Sequence, residues 1–561
     1  MKNKILVKFV AGLMLTGAMF ACKSNNGNQN KVEITEEDKA LPTGKSSVDY
    51  EDYGESDETY YDTNKWYKND LQHLPLPDPC VYVEDGKYYI YGTTDATGAR
   101  SFDCYVSENL NDFTVVKNIY KPGDTITTQS LFAPEVHKFG DKYYMYYSGG
   151  NGKVATGINV LVADAPDGSF KEYKGKNADG DDVDFSKEFL AKDIKSGKGL
   201  SILDVTVLED GEDIYMYYSV YDTGIMQYIV GMQMKDPVTP DWDTYTKLIV
   251  PGALDPDVNV NVLPWECMKE FKVAEGPCVI KSPVNGKYYM TYSVNHYPDR
   301  YYTVCYAESD SPLGKYTKPY QKNGNWTNLL FGYAGNSAGT EYNNWEGFMS
   351  GCAHHNFFKV GDEYMIVYHA HKNRKDSNNG RMVAFDHLYF DKDTGRPFCE
   401  GPSATLQNLP TEISGYRNVA PKATIAAINV DKPEMLNDLF VTEHIKLSQE
   451  QNREAILNKG WCFIKVKLDK VYNIGGIQVK NSAFYDKYLS EIDYIKFDNA
   501  NQFIKGVVFN DTIATKDEFI FPDSGFTVNL NKDVRTDTVT FIINSPGNVA
   551  INEIKILASE E

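Results

Sequence analysis

Asp141-Lys142-Tyr143-Tyr144-Met145-Tyr146-Tyr147-Ser148 is the stretch on which the fold turns. A turn residue opens it, and a dense run of Tyr and Met follows. That run is strand-like in length, and flat aromatic side chains suit a pleated, half-buried surface. The pattern returns at Gly86-Lys87-Tyr88-Tyr89-Ile90-Tyr91, Asp213-Ile214-Tyr215-Met216-Tyr217-Tyr218-Ser219, Gly286-Lys287-Tyr288-Tyr289-Met290-Thr291-Tyr292-Ser293 and Asp362-Glu363-Tyr364-Met365-Ile366-Val367-Tyr368-His369. From Tyr88 the runs recur at steps of about 55, 72, 73 and 76 residues. Units of strands and turns with little helical periodicity predict propeller blades, here five.

Each run has an upstream partner, a short apolar segment about eight to thirteen residues earlier that carries one polar residue. These residues are Asp78 in Leu76-Pro77-Asp78-Pro79-Cys80-Val81, Glu135 in Phe132-Ala133-Pro134-Glu135-Val136, Asp204 in Ile202-Leu203-Asp204-Val205-Thr206-Val207, Glu275 in Val273-Ala274-Glu275-Gly276-Pro277, and His354 in Gly351-Cys352-Ala353-His354-His355. Turns such as Glu84-Asp85-Gly86 and Phe139-Gly140-Asp141 separate segment from run, which is the layout of a β-hairpin. The first strand of a propeller blade lines the central channel. Five such strands would each bring one ionisable residue to the same axial cavity.

Outward from this core, Met382-Val383-Ala384-Phe385 and His387-Leu388-Tyr389-Phe390 read as a closing strand pair, so the propeller is expected over residues 65–413. Residues 414–561 change character. Trp461–Leu468, Ile474–Val479, Tyr494–Phe497, Val539–Ile543 and Ile551–Leu557 read as strands of a β-sandwich. The chain is therefore expected to be all-β, a five-bladed propeller followed by a sandwich. At the other end, Lys2, Lys4 and Lys8 precede the apolar stretch Phe9–Ala21, an export signal over residues 1–21 that is too short to span a membrane. Cys22 directly after it resembles a bacterial lipoprotein cleavage site, where the thiol takes a lipid. Residues 22–64 are polar and acidic and read as a flexible tether to that membrane anchor.

Composition narrows the partners. The formal net charge of −21 repels phosphate backbones, which argues against nucleic acid and leaves neutral glycans open. Eight cysteines follow Cys22 without a CxxC pair, so no zinc site is expected; export would permit disulfides, but their pairing is not readable. No nucleotide or redox motif appears, so no cofactor is expected to be required, and a monomer is expected.

Taken singly, each acid has a structural reading: Asp78 before Pro as a turn former, Asp204 as a hydrogen-bonded strand carboxylate, Glu275 as a turn cap. Taken together they say more. Three carboxyls at matching places in three repeats would crowd like charges on one axis and raise the pKa of one of them. A raised acid beside an ionised base is what glycoside hydrolysis needs.

In their order, the segments around Asp78, Phe132–Val136, Asp204, Glu275 and Gly351–Phe358, with Arg381, resemble glycoside hydrolase family 43, the arabinofuranosidase and xylosidase family. The resemblance spans roughly residues 70–400 and implies a five-bladed propeller that hydrolyses with inversion. It implies that Asp78 is the general base, Glu275 the general acid, and Asp204 the residue that orients the acid and tunes its pKa. Glu135, His354 and Arg381 are taken as substrate-binding positions. By the same resemblance His354 stands where a calcium ion can be reached through water. The C-terminal segments Asn418–Thr424, Val466–Ile474 and Ile551–Ile554 resemble discoidin-like, galactose-binding sandwiches.

Two rival readings remain. A retaining, fructan-cleaving propeller would use Asp78 as nucleophile and the Glu of Trp265-Glu266-Cys267. A non-catalytic glycan-binding lipoprotein would use the same scaffold without turnover.

Overall fold

The computed structural model describes residues 32–54, 61–69, 74–93, 100–151, 156–192, 201–222, 226–259, 262–268, 270–299, 301–319, 328–332, 351–371, 380–403, 405–440, 454–481, 489–508 and 525–559. The expected export signal and Cys22 lie outside them. Five antiparallel sheets follow one another along the chain, each with its strands in sequence order from first to third. The first three strands are Cys80–Glu84, Lys87–Tyr91 and Phe102–Ser107 in blade 1, and Ser130–Phe139, Lys142–Gly150 and Gly157–Ala163 in blade 2. Blade 3 has Ser201–Asp210, Asp213–Asp222 and Met226–Asp236, and blade 4 has Ala274–Lys281, Tyr288–Val294 and Thr303–Ser309. Blade 5 has Ala353–Val360, Glu363–His371 and Arg381–Phe390. An outer strand completes each blade, shorter than the inner three except in blade 1, where it is Thr114–Tyr120.

The aromatic runs are the second strands, and their composition follows from where they sit. Five apolar clusters fill the five seams between neighbouring blades. Adjacent residues of one run go to opposite seams. Tyr218 packs towards blade 2 and Tyr217 towards blade 4; Tyr288 packs towards blade 3 and Tyr289 towards blade 5. A strand buried on both faces has no use for alternating polar residues, so it reads as a continuous apolar run. The ring closes between blades 5 and 1 through a seam containing Val81, Ile90, Val367 and Phe385. The Asn69 side chain adds to it by donating to the Phe385 carbonyl and accepting from its N–H, both at 2.8 Å.

The second unit is a sandwich built on two long strands, Gly460–Asn481 and Gly525–Ser545, which pair with each other, break register and continue pairing. One apolar core, including Ile464, Val466, Ile477, Phe541 and Ile556, fills it. The segments read as separate strands 461–468 and 474–479 are one bent strand. Residues 32–54 depart from the expected tether. Glu36–Lys39 is a short helix closed by a capping box on Thr35, and Tyr50–Gly54 pairs antiparallel with Phe526–Leu530 of the sandwich. Lys465 Nζ holds both oxygens of Asp38 at 2.9–3.0 Å, and Val48 enters the sandwich core. Composition missed this because the edge strand contributes backbone hydrogen bonds, which an acidic sequence supplies as well as any other.

All eight cysteines after Cys22 are free thiols, seven of them buried.

Candidate active site

The innermost strands of blades 2–5 each carry one extra residue relative to their partners. Phe132 and Glu135 pair with Ser148 and Tyr146, Leu203 and Thr206 with Ser219 and Tyr217, and Glu275 and Cys278 with Ser293 and Thr291. A bulge bends a strand and re-aims a side chain. In blades 2–5 the bulged residue lies in the left-handed region, at Ala133 (φ 43°), Asp204 (58°), Gly276 (53°) and His354 (47°), and Asp78 (51°), just before the blade 1 strand, takes the same conformation. In three blades Pro follows it, at Pro79, Pro134 and Pro277, where the ladder needs no N–H.

These bulges correct the equivalence inferred from spacing. Asp78, Asp204 and His354 do occupy matching places. Glu275 stands one residue before its bulge, and Glu135 stands two residues after. Glu135 therefore falls in the next tier along the axis, level with Cys80, Thr206, Cys278 and Asn356. It is held there by Thr206 Oγ1 (3.1 Å), the Val207 N–H (2.9 Å), Asn356 Nδ2 (3.1 Å) and His137 Nε2 (2.6 Å). His137 also reaches Glu209 at 3.0 Å. Burial opposes its charge, but those two carboxylates push the ring pKa up to about 9. Glu135, expected at a substrate position, is thus engaged as a brace across blades 2, 3 and 5.

The bulges are tied together across the seams. The Ala133 N–H donates to Thr93 Oγ1 (2.8 Å), the Asp204 N–H to Ser148 Oγ (2.7 Å), the His354 N–H to Ser293 Oγ (2.8 Å) and the Asp78 N–H to His369 Nδ1 (3.2 Å). In each case the residue ending an aromatic run, or Thr93 two residues past the end of the first one, holds the corresponding position of the following blade. Between blades 3 and 4 the pattern changes: the Gly276 N–H donates to Asp204 Oδ2 (3.2 Å), and Ser219 Oγ is left buried without a partner.

Asp78 is buried beside a fixed cation. Arg381 Nη1 donates to Oδ1 at 3.0 Å, Thr93 Oγ1 donates to Oδ2 at 2.5 Å, and His354 Nδ1 lies 3.2 Å from Oδ1. Burial would raise the pKa, but the Arg381 guanidinium and its neighbours hold it well below the usual carboxylate range. Arg381, expected at a substrate position, pairs here with the Asp78 carboxylate, and Tyr297 is stacked on the guanidinium at 4.8 Å. Glu275 has the opposite environment. Burial pushes its pKa up to about 7 against donations from Tyr302 OH (2.8 Å) and Gln227 Nε2 (2.7 Å). Asp204 is raised well above its ordinary value, by burial first and then by the charges of Glu275 and Asp78. One axis thus holds a carboxylate kept ionised and two carboxyls kept protonated.

The calcium expected near His354 would be reached through water, not held directly by protein ligands. Calcium takes six to eight oxygen ligands. The axial cavity there has a volume of about 20 Å³, Glu135 is already engaged by four protein donors, and no metal-binding cluster of His, Cys, Asp or Glu occurs among the described residues. Glu266, which the fructan-cleaving reading would place at the axis, is instead fully buried in the seam between blades 3 and 4. Lys318 Nζ (2.6 Å), Asn328 Nδ2 (2.8 Å), the Gly252 N–H (2.7 Å) and Tyr292 OH (2.8 Å) hold it there. Thr93, Gln227, Tyr302 and His369 are site residues that spacing did not reveal. The one available signal was that the aromatic runs end in Ser or His.

Carboxyls driven to opposite protonation states at the axis of a five-bladed propeller suit the hydrolysis of glycosidic bonds. Residues 67–395, more than half of the chain, match the profile of the glycosyl hydrolases family 43, and the chain belongs to that family. The Beta-D-galactofuranosidase xynD of Aspergillus niger is 22% identical over 330 residues, 56% of this chain and 79% of that protein. A crystal structure of a thermostable family-43 glycoside hydrolase is 26% identical, with a TM-score of 0.47, covering 61% of this chain and 99% of the other. An endo-1,4-beta-xylanase from Bacteroides thetaiotaomicron is also 26% identical, with a TM-score of 0.45, covering 59% and 96%.

Proposed function

We propose that this glycoside hydrolase is an exported enzyme, anchored through a lipid on Cys22, that releases arabinofuranose from neutral glycans by single displacement with inversion. Ionised Asp78 takes a proton from a water that attacks the anomeric carbon, while protonated Glu275 donates to the leaving oxygen. Burial and the charge of Asp78 keep the acid protonated, and Asp204 holds its strand through the Gly276 N–H. The observation that carries this reading is the opposite electrostatic setting of Asp78 and Glu275, one paired with Arg381 and the other crowded by acids. A water between base and sugar requires the two carboxyls to stand about 6.5–9.5 Å apart. Xylosides and galactose-containing substrates rank behind arabinofuranosides, and the enzyme acts as a monomer without a required cofactor.

A panel of nitrophenyl glycosides tests the sugar, with fastest turnover expected on the α-L-arabinofuranoside. Proton NMR of the first product, taken before mutarotation, tests the mechanism. Retained configuration, or a glycosyl adduct on Asp78, would overturn it. Binding without release of reducing sugar would leave the glycan-binding lipoprotein standing.

A further inference from the structure

The base and the acid sit on blades 1 and 4, which are not neighbours in the ring, yet a short chain of contacts joins them. The Asp78 N–H donates to His369 Nδ1 at 3.2 Å. The His369 ring stacks on Tyr302 with centroids 5.6 Å apart and planes 21° from parallel. Tyr302 OH donates to Glu275 Oε1 at 2.8 Å. Both rings are fully buried. We infer that His369 and Tyr302 form a positioning pair, in which one ring holds the backbone of the base, the other holds the carboxyl of the acid, and their stacking fixes the two relative to each other. The inference rests on the acid and base roles proposed for Glu275 and Asp78. Burial keeps His369 neutral; its Nδ1 accepts from the Asp78 N–H at 3.2 Å in one tautomer and donates to Asp78 Oδ1, 3.3 Å away, in the other, so the ring holds the base in either. Its other nitrogen, Nε2, has no hydrogen-bond partner. A buried polar atom left unpaired has a cost, and here the ring that carries it supplies both an acceptor and a flat face.

The test uses leaving groups. A dinitrophenyl glycoside departs without protonation, so it reports the base; a methyl glycoside needs the acid. Tyr302→Phe keeps the ring and loses the hydroxyl. It should slow the methyl glycoside by up to about 10²-fold and leave the dinitrophenyl glycoside nearly unchanged. His369→Asn keeps an acceptor for the Asp78 N–H but loses the ring. If the stack carries the coupling, it too should slow the methyl glycoside selectively, and the double variant should be no slower than the worse single one. Tyr302→Leu removes the stacking surface and should slow both substrates.

The pH profile is the second readout. Glu275 is faced by the charges of Asp78, Asp204 and Arg381 and by the donors Tyr302 and Gln227. Losing the Tyr302 donation destabilises ionised Glu275, so the alkaline limb should move up in both Tyr302→Phe and His369→Asn. His369→Asn that slows both substrates equally, or neither, with an unmoved alkaline limb, overturns the pair. Should it fail to fold, Tyr302→Leu decides: loss confined to the methyl glycoside overturns the coupling to the base. Glu275→Gln without leaving-group dependence would sink the acid assignment itself, a distinct failure.

Discussion

Replacing Glu275 with Gln should make the protein less active and, at alkaline pH, more stable. The folded-state pKa of Glu275 is raised from 4.5 to about 7. A rise of that size corresponds to about 3 kcal/mol of differential interaction between protonation states. The sign follows from proton binding. Between the two values the folded protein holds a proton that the unfolded chain has lost, so stability falls as pH rises through that window. Its contribution is fully present below about 4.5 and gone above about 7. Gln does not titrate and escapes this loss. It has its own pH-independent cost, because the amide accepts from Tyr302 but cannot also accept from Gln227, and one lost hydrogen bond costs about 1 kcal/mol. The variant should therefore unfold more easily than the parent near about pH 4, and by about 2 kcal/mol less easily near about pH 8.5. Denaturant unfolding of both proteins at the two pH values measures the difference. Turnover on an unactivated glycoside should fall about 10²–10⁴-fold below about pH 7, where the parent still holds the acid's proton. A stability difference that is the same at both pH values would refute the claim that burial among acids, and not some other feature, keeps Glu275 protonated.

Arg381→Met removes the cation from Asp78, so the base should lose its proton at higher pH and the acid limb of the activity profile should move up; an unmoved limb would dissociate Arg381 from the base. Asp78→Asn should cut turnover about 10²–10⁴-fold for every leaving group, and rapid turnover on any of them would remove Asp78 from the mechanism. Lys318→Met leaves Glu266 as an unpaired buried charge and should cost about 3–5 kcal/mol in thermal or denaturant unfolding, while the folded fraction keeps its turnover; a stable but inactive variant would bring Glu266 back into the chemistry. Deleting residues 32–54 should destabilise the sandwich and leave turnover on a nitrophenyl glycoside near normal, measured by differential scanning calorimetry beside the activity assay.

The five blades were legible because each second strand is buried on both faces and must be apolar throughout, as Tyr217 and Tyr218 are. That demand falls on contiguous residues, so it survives in the linear chain. The acids were legible for a related reason, since Asp78, Asp204 and Glu275 are conspicuous in apolar company. What they do there was not. Whether Asp78 is ionised depends on Arg381, 303 positions away, and whether Glu275 is protonated depends on its burial and on the charge of Asp78. Spacing also treated Glu135 as a member of the acidic ring, because an extra bulged residue changes which way every following side chain points without altering the pattern around it. The same holds for Thr93, Tyr302 and His369. Composition carries information about which residues are buried, whereas protonation and positioning are pairwise effects between distant segments, and only the folded chain brings those pairs together.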